Sequence, residues 1–108
     1  MNWIVRELPE VQEVLNKLDR GKRKQVLKAI DRVSQNPLPQ SEGGYGKSLG
    51  KNLTGCYKIK LRNAGIRIVY RLQRTEHGME IVIIGMRESA EVYDLAAKRI
   101  EKYDTKAN

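Results

Sequence analysis

The feature that most constrains this chain is a two-residue alternation of apolar and basic side chains over residues 56–72. It occurs on both sides of the turn-forming segment Asn63-Ala64-Gly65. Because successive side chains on a strand point to opposite faces, the pattern predicts two antiparallel strands joined by a tight turn. One face would carry Tyr57, Ile59, Leu61, Ile66, Ile68, Tyr70 and Leu72, and the other Lys58, Lys60, Arg62, Arg67 and Arg71. A slip of one residue would bury the charges, so the register is strongly specified.

Apolar residues spaced three and four apart predict a pair of helices before these strands. The first would begin at Pro9, and the second would end near Asn36, before Pro37. The segment Asp19-Arg20-Gly21 is a plausible break between them. The buried stripes would be Val11, Val14, Leu15 and Leu18 on the first helix, and Val26, Leu27, Ile30 and Val33 on the second.

The remaining segments complete an α+β arrangement. Residues 2–6 suit an opening strand, a short strand is expected near Leu49, and residues 79–86 suit a central strand with both faces at least partly covered. Ser89 would cap a last helix that buries Val92, Tyr93, Ala96, Ala97 and Ile100. We expect one domain over residues 1–108, in which an N-terminal strand and a helical hairpin pack on a small, mainly antiparallel sheet with a C-terminal helix.

The net charge of +8 is concentrated in one segment of the chain. Residues 43–75 contain eight Lys and Arg residues and no Asp or Glu, whereas the rest of the chain sums to zero. A segregated positive field usually attracts a polyanion, so nucleic acid is the favoured partner, ahead of an acidic protein or a membrane surface. The helix residues Lys22, Arg23, Lys24 and Lys28 are a further candidate surface, although they also fit an ordinary solvated face.

Composition excludes several classes of protein. The single Cys56 excludes an internal disulfide and a cysteine-rich zinc domain, and one His with scattered acids offers no metal-ligand spacing. No cofactor or metal is therefore expected. No apolar run approaches a membrane span, and the N-terminus has no signal pattern, so we expect a cytoplasmic protein with no membrane partner.

An all-cationic site can bind RNA passively, and it can also cleave it. In metal-free cleavage the 2′-hydroxyl attacks its own phosphodiester, and the protein must move protons and neutralise the phosphorane. Arginine matches two phosphate oxygens, and lysine can act as a base only if its pKa falls by roughly 3 units from about 10.4. On the residues alone, passive binding is favoured over catalysis.

Residues Cys56–Tyr70 contain the patterns K-x-K and G-x-R-x-V-Y, and residues Ile84–Tyr93 contain the pattern G-x-R-E-x-x-E-V-Y. In these motifs the sequence closely resembles the RelE toxins of the RelE/ParE toxin–antitoxin superfamily. The resemblance implies a toxin that enters the ribosomal A site and cleaves messenger RNA without metal. Matched by motif, the catalytic residues would be Lys58, Lys60, Arg67, Arg87 and Tyr93.

The resemblance also implies partners and alternatives. The partners would be a cognate antitoxin, the 70S ribosome with its 16S rRNA, and mRNA. Residues that bind RNA or the ribosome without acting on the substrate would be Lys47, Lys51, Arg62, Arg71 and Arg74. Two other classes stay open: a ParE-like inhibitor of DNA gyrase, and a non-catalytic nucleic-acid-binding relative.

Overall fold

The computed structural model describes residues 2–49, 53, 55–86 and 90–107, and within the last segment the side chains of residues 92–104. Its helices and strands are β1 (Ile4–Glu7), α1 (Pro9–Lys17), α2 (Arg20–Ser34), β2 (Lys47–Ser48), β3 (Cys56–Leu61), β4 (Ile66–Gln73), β5 (Gly78–Gly85) and α3 (Ala90–Ala107). The predicted α+β fold is confirmed, and the predicted cap Ser89 lies outside the described residues. Within the described part of the chain, no helix has the length and apolar character needed to cross a membrane.

The five strands form one sheet in the order β1-β5-β4-β3-β2. The edge strand β1 runs parallel to β5, and every other pair is antiparallel. In the central pair of β3 and β4, Ile59 lies opposite Ile68 and Lys60 lies opposite Arg67. The alternation therefore separates the apolar side chains from Lys58, Lys60 and Arg67, as predicted from the sequence.

The helical hairpin turns more tightly than the sequence pattern predicted. The side chain of Asp19 accepts a hydrogen bond of 2.8 Å from the backbone N–H of Lys22, so α2 begins at Arg20 and Gly21 lies inside its first turn. The guanidinium of Arg23 donates to the carbonyls of Leu15, Asn16 and Leu18, at 2.8, 2.9 and 3.2 Å. Arg23 therefore closes the C-terminal end of α1, where helix carbonyls lack partners of their own.

The hairpin covers the apolar face of the sheet, with Val26, Ile30 and Val33 buried. The prediction that Leu27 belongs to this inner stripe was wrong, since its side chain is 45% exposed. Positions 26, 30 and 33 follow the four- and three-residue spacing of one helix face, and a residue adjacent in sequence lies about 100° around the axis.

The opposite face of the sheet is covered by α3 along part of its length. A Cβ added at Gly85 would lie 2.8 Å from Cγ2 of Val92, so α3 packs closely on this face beside Arg67, the partner of Gly85 in the sheet. The Arg99 side chain donates a 3.0 Å hydrogen bond to the carbonyl of Val82. Val69, which lies between Lys58 and Ile83 in the sheet, is fully buried.

The far end of α3 is attached to α1. The Tyr103 hydroxyl donates a 2.7 Å hydrogen bond to Glu10, and Lys102 lies 3.4 Å from the other carboxylate oxygen. The hydrogen bond from Tyr103 is the main cause that lowers the pKa of Glu10 from 4.5 to about 2. Folding therefore favours the ionised form of Glu10.

We expect the attachment of α3 to weaken in acid. Because the folded-state pKa of Glu10 is depressed, its contribution to stability is present above about pH 4.5 and is lost as the pH falls toward 2. In urea unfolding between pH 5 and 2, Glu10→Gln should lose stability less steeply than the wild type, by at most about 1.4 kcal/mol per pH unit. Glu13→Gln, which removes an exposed carboxylate from the same helix, is the control. Parallel slopes for all three proteins would contradict the assignment.

Candidate nucleic-acid interface

Basic residues lie in opposing pairs on neighbouring strands. Lys47 of β2 lies opposite Lys58 of β3, and Lys60 of β3 lies opposite Arg67 of β4. Directly opposed side chains have Cβ atoms roughly 5 Å apart, and like charges in such pairs destabilise a sheet. We call these four residues the cationic row.

The three lysines of the cationic row line a cleft between α2 and β3. Two cavities form this cleft, of about 460 Å³ and about 380 Å³, and both are lined by Lys47, Lys60 and Leu61. The cleft can form because β2 pairs with β3 only as far as Lys58. Among the described residues that line it, none is a carboxylate, and the cations are Lys28, Arg32, Lys47, Lys58, Lys60 and Arg62.

The other predicted site residues lie in different surroundings. Arg62 is exposed in a 3₁₀ turn after β3, so it lines the cleft from the turn and not from the strand face. Arg74, in the turn after β4, donates to both carboxylate oxygens of Glu42, at 2.9 and 2.7 Å. These hydrogen bonds lower the pKa of Glu42. Tyr93 is half-buried on α3 and packs against the core. Lys51 and Arg87 lie outside the described residues.

Arg71 is on the predicted face but lies next to α3. Its guanidinium is bound by Glu80 at 3.0 Å and by Asp104 at 2.9 Å, and its side chain is only 15% exposed. The hydrogen bond to Asp104 is the main cause that raises the pKa of Arg71. The prediction that Arg71 forms part of an open cationic surface was wrong, because α3 and two carboxylates occupy that part of the face. Its contact with RNA stays a prediction.

The chemistry available in this region is that of cations. Among the described residues, no group of three or more His, Cys, Asp or Glu side chains could hold a metal ion. The Cys56 thiol is buried beside Arg71, and burial raises its pKa to about 11, so it is not a thiolate at neutral pH. Lysine and arginine side chains on rigid strands can bind phosphate and stabilise a phosphorane.

The comparisons with known proteins agree on one family. No family model matches the chain. The mRNA interferase toxin RelE of Escherichia coli K12 is 34% identical to it over 84 residues, 78% of this chain and 82% of that protein. A RelE-like toxin protein of Escherichia coli is 30% identical over 101 residues, 93% of this chain and 99% of the other. The chain belongs to the RelE family of toxins.

Solved RelE structures have the same fold. A free Escherichia coli RelE with two arginine-to-alanine changes matches 93% of this chain and 99% of its own, with a TM-score of 0.77 at 29% identity. The isolated Escherichia coli RelE toxin matches with a TM-score of 0.68 at 30% identity, over 91% and 98%. The same double variant bound to a peptide of the antitoxin RelB matches with a TM-score of 0.69 at 27% identity, over 89% and 95%.

Two cleft residues of this RelE-family chain were not singled out in the sequence. Arg32 and Tyr45 line the smaller cavity together with Lys58 and Lys60. In the sequence, Arg32 is one of several basic residues on the outer face of the second predicted helix. Tyr45 lies in a glycine-rich loop. The available signal was an aromatic residue in the glycine-rich loop at the start of the basic segment, and only the fold of residues 36–46 places it at the cleft.

The position of Arg71 generates a stability prediction. Arg71→Met keeps the aliphatic stem but leaves Glu80, whose side chain is 17% exposed, without its closest cation. We expect the free energy of unfolding to fall by about 1–3 kcal/mol. Arg62→Met, in the exposed turn, should change it by less than about 0.5 kcal/mol. Urea unfolding measures both. Unchanged stability of Arg71→Met together with weaker ribosome binding would instead support a role in RNA contact.

Proposed function

We propose that this RelE-family chain is the toxin of a type II toxin–antitoxin module, and that it cleaves mRNA in the A site of cytoplasmic ribosomes. The observation that carries the proposal is the cationic row, which brings Lys58, Lys60 and Arg67 together on adjacent strands in a chain 34% identical to an mRNA interferase. These residues match the positions that the resemblance assigns to catalysis. Cleavage by this chain would stop translation of the message.

The proposed reaction is transesterification within the RNA. The 2′-oxygen forms a bond to phosphorus while the bond from phosphorus to the 5′-oxygen breaks. The proton of the 2′-hydroxyl goes to a base, and a proton is delivered to the departing 5′-oxygen. The products are a 2′,3′-cyclic phosphate and a 5′-hydroxyl, so neither a water molecule nor a metal is consumed or required.

Each basic residue has a proposed task. Lys58 would act as the general base, and Lys60 with Arg67 would stabilise the charge that develops on the phosphorane. Arg87, placed by the resemblance alone, would bind the phosphate and assist the leaving oxygen, and Tyr93 would orient a base. Lys47, Lys51, Arg62, Arg71 and Arg74 stay proposed contacts to mRNA or ribosomal RNA. The base and acid tasks of the two lysines could be exchanged, and the pH–rate profile of each single variant would distinguish them.

We expect Arg67→Ala to slow cleavage of ribosome-bound mRNA about 10²-fold in a single-turnover assay, because it removes a donor from the developing phosphorane. Arg67→Lys should recover part of this loss, since it restores charge without the planar fork. Arg6→Ala, on the distant edge strand β1, removes another arginine and should cleave like the wild type. The assay also identifies the RNA ends.

Several results would contradict the proposed function. If the wild type cleaves naked RNA as fast as it cleaves ribosome-bound RNA, the activity does not depend on the ribosome. Loss of cleavage in EDTA, with intact ribosomes, would require a metal. Accumulation of gyrase–DNA cleavage complexes without mRNA cleavage would support the ParE-like alternative. If Arg67→Ala cleaves ribosome-bound mRNA at a rate within a few-fold of the wild type, the catalytic role assigned to Arg67 is wrong. The proposed activity of the protein would still stand.

The proposed protein partner is a co-encoded antitoxin. A RelE variant binds a peptide of the antitoxin RelB, and that RelE is 27% identical to this chain. A partner segment with acidic residues on one side and apolar residues on the other would suit a cleft lined by cations and bordered by Leu61 and Val33. Such a segment would cover the cationic row or disturb α3, and either would prevent binding to the ribosome.

Association with an acidic antitoxin should slow as salt rises, because the net charge of +8 steers it. We expect the association rate constant to fall about tenfold between 50 and 500 mM salt. The double variant Lys58→Gln/Lys60→Gln should be less sensitive to salt, whereas Lys17→Gln, at the end of α1, should behave like the wild type. Hydrogen exchange gives the footprint. Protection confined to the outer face of α2, with residues 56–86 and α3 unchanged, would contradict this mode of binding.

A further inference from the structure

The loop of residues 36–46 holds one aromatic side chain in solvent. Tyr45 is 47% exposed, although the backbone around it is held by several hydrogen bonds. The Tyr45 N–H donates to the carbonyl of Asn36 at 2.9 Å, and the Gly46 N–H donates to the carbonyl of Leu38 at 3.0 Å. The Asn36 side-chain amide donates to the carbonyl of Gly43 at 3.2 Å. The position of Tyr45 is therefore set by its own loop.

This loop is also fastened to the sheet. The buried Tyr70 hydroxyl donates a 2.7 Å hydrogen bond to the carbonyl of Pro37, and a Cβ added at Gly46 would lie 2.5 Å from that hydroxyl. The bidentate pair of Arg74 and Glu42 ties the loop to the end of β4. A loop held at both places presents its aromatic residue with little conformational entropy left to lose on binding.

Tyr45 belongs to the same cavity as the proposed catalytic lysines. The cavity of about 380 Å³ is lined by Tyr45, Arg32, Lys58 and Lys60. The guanidinium carbon of Arg32 lies 5.3 Å from the centre of the Tyr45 ring, within the range of a cation–π contact. One side of the ring thus faces a cation of α2. The cavity volume is in the range of small-molecule sites, so a single nucleobase is an appropriate occupant.

We infer that Tyr45 stacks on a base of the bound RNA strand adjacent to the phosphate held by Lys58 and Lys60, and that Arg32 is a positioning residue for its ring. This inference rests on the proposed function for the identity of the strand. An RNA phosphate at the lysines brings its own nucleosides into the cavity, and unstacked bases of single-stranded RNA bind to aromatic side chains and arginine planes. Every base has a π-face, so the contact would not depend on which of the four bases is bound.

The first test is cleavage of ribosome-bound mRNA at varied substrate concentration. Stacking of a neighbouring base is the same before and during the reaction, so its loss raises the half-saturating concentration and leaves the maximal rate within about threefold. We expect Tyr45→Ala to raise the half-saturating concentration about tenfold, within the range for loss of one stacked base. Tyr45→Phe and Tyr45→Trp keep an aromatic ring and should have the half-saturating concentration of the wild type. Leu95→Ala, whose side chain is also 47% exposed, should match the wild type.

Arg32 is tested by the same assay. Arg32→Ala should raise the half-saturating concentration about threefold, and Arg32→Lys, which restores a cation beside the ring, should recover most of the loss. A double variant Arg32→Ala/Tyr45→Ala should be no worse than Tyr45→Ala, because the arginine acts through the ring. Additive losses, or failure of both Phe and Trp at position 45, would overturn the assignment. Thermal unfolding confirms that each variant is folded.

The second test does not depend on cleavage. A short single-stranded RNA carries 2-aminopurine beside a phosphate made uncleavable by a 2′-O-methyl group, and stacking on Tyr45 should quench its fluorescence. We expect quenching with the wild type and Tyr45→Phe, and little with Tyr45→Ala. If the wild type quenches the fluorescence but does not cleave ribosome-bound mRNA, the stacking site is supported and the proposed function is rejected. If Tyr45→Ala matches the wild type in cleavage rate, in half-saturating concentration and in quenching, the stacking site is rejected. The proposed function is retained in that case.

Discussion

The register between β3 and β4 is the constraint on which the rest of the structure depends. Placing Ile59 opposite Ile68 also places Lys60 opposite Arg67, so the packing of the core and the position of the cations are decided together. The apolar face then requires the helical hairpin to exclude water from it. A shift by one residue would remove both the core and the cationic row, and neither can therefore be altered independently of the other.

The second face of the sheet is divided by α3 into two environments. Where Val92 packs on Gly85 and Asp104 binds Arg71, the face belongs to the core. Toward β2 and the end of β3, the same face carries Lys47, Lys58 and Lys60. The C-terminal helix therefore gives Arg71 a structural role, although Arg71 belongs to the same alternating segment as these lysines.

Sequence periodicity was sufficient to predict the central strands of the sheet. It was not sufficient to predict which distant residues contact them. Alternation over residues 56–72 correctly predicted two strands and the side of Lys58, Lys60 and Arg67, since strand geometry converts sequence spacing into direction. It could not show that Asp104, 33 residues away, would bind Arg71. Nor could it show that Tyr70 would fasten residues 36–46 beside the cleft, because that hydrogen bond joins residues 33 positions apart. Contacts between distant segments decide what becomes of an individual charge.

Carboxylates bind some of the basic residues of this segment and are absent from the described lining of the cleft. Arg71 and Arg74 lie within the basic segment, but Glu80, Asp104 and Glu42 bind them from outside it. The cleft is lined by six Lys and Arg residues, and its described lining contains no carboxylate, so its composition favours a polyanion as the ligand. The ordered loop at Tyr45 and the strands β3 and β4 need little rearrangement to receive such a ligand. Affinity for RNA and vulnerability to an acidic antitoxin therefore have the same physical origin, and a substitution that weakens one by removing cleft charge should weaken the other.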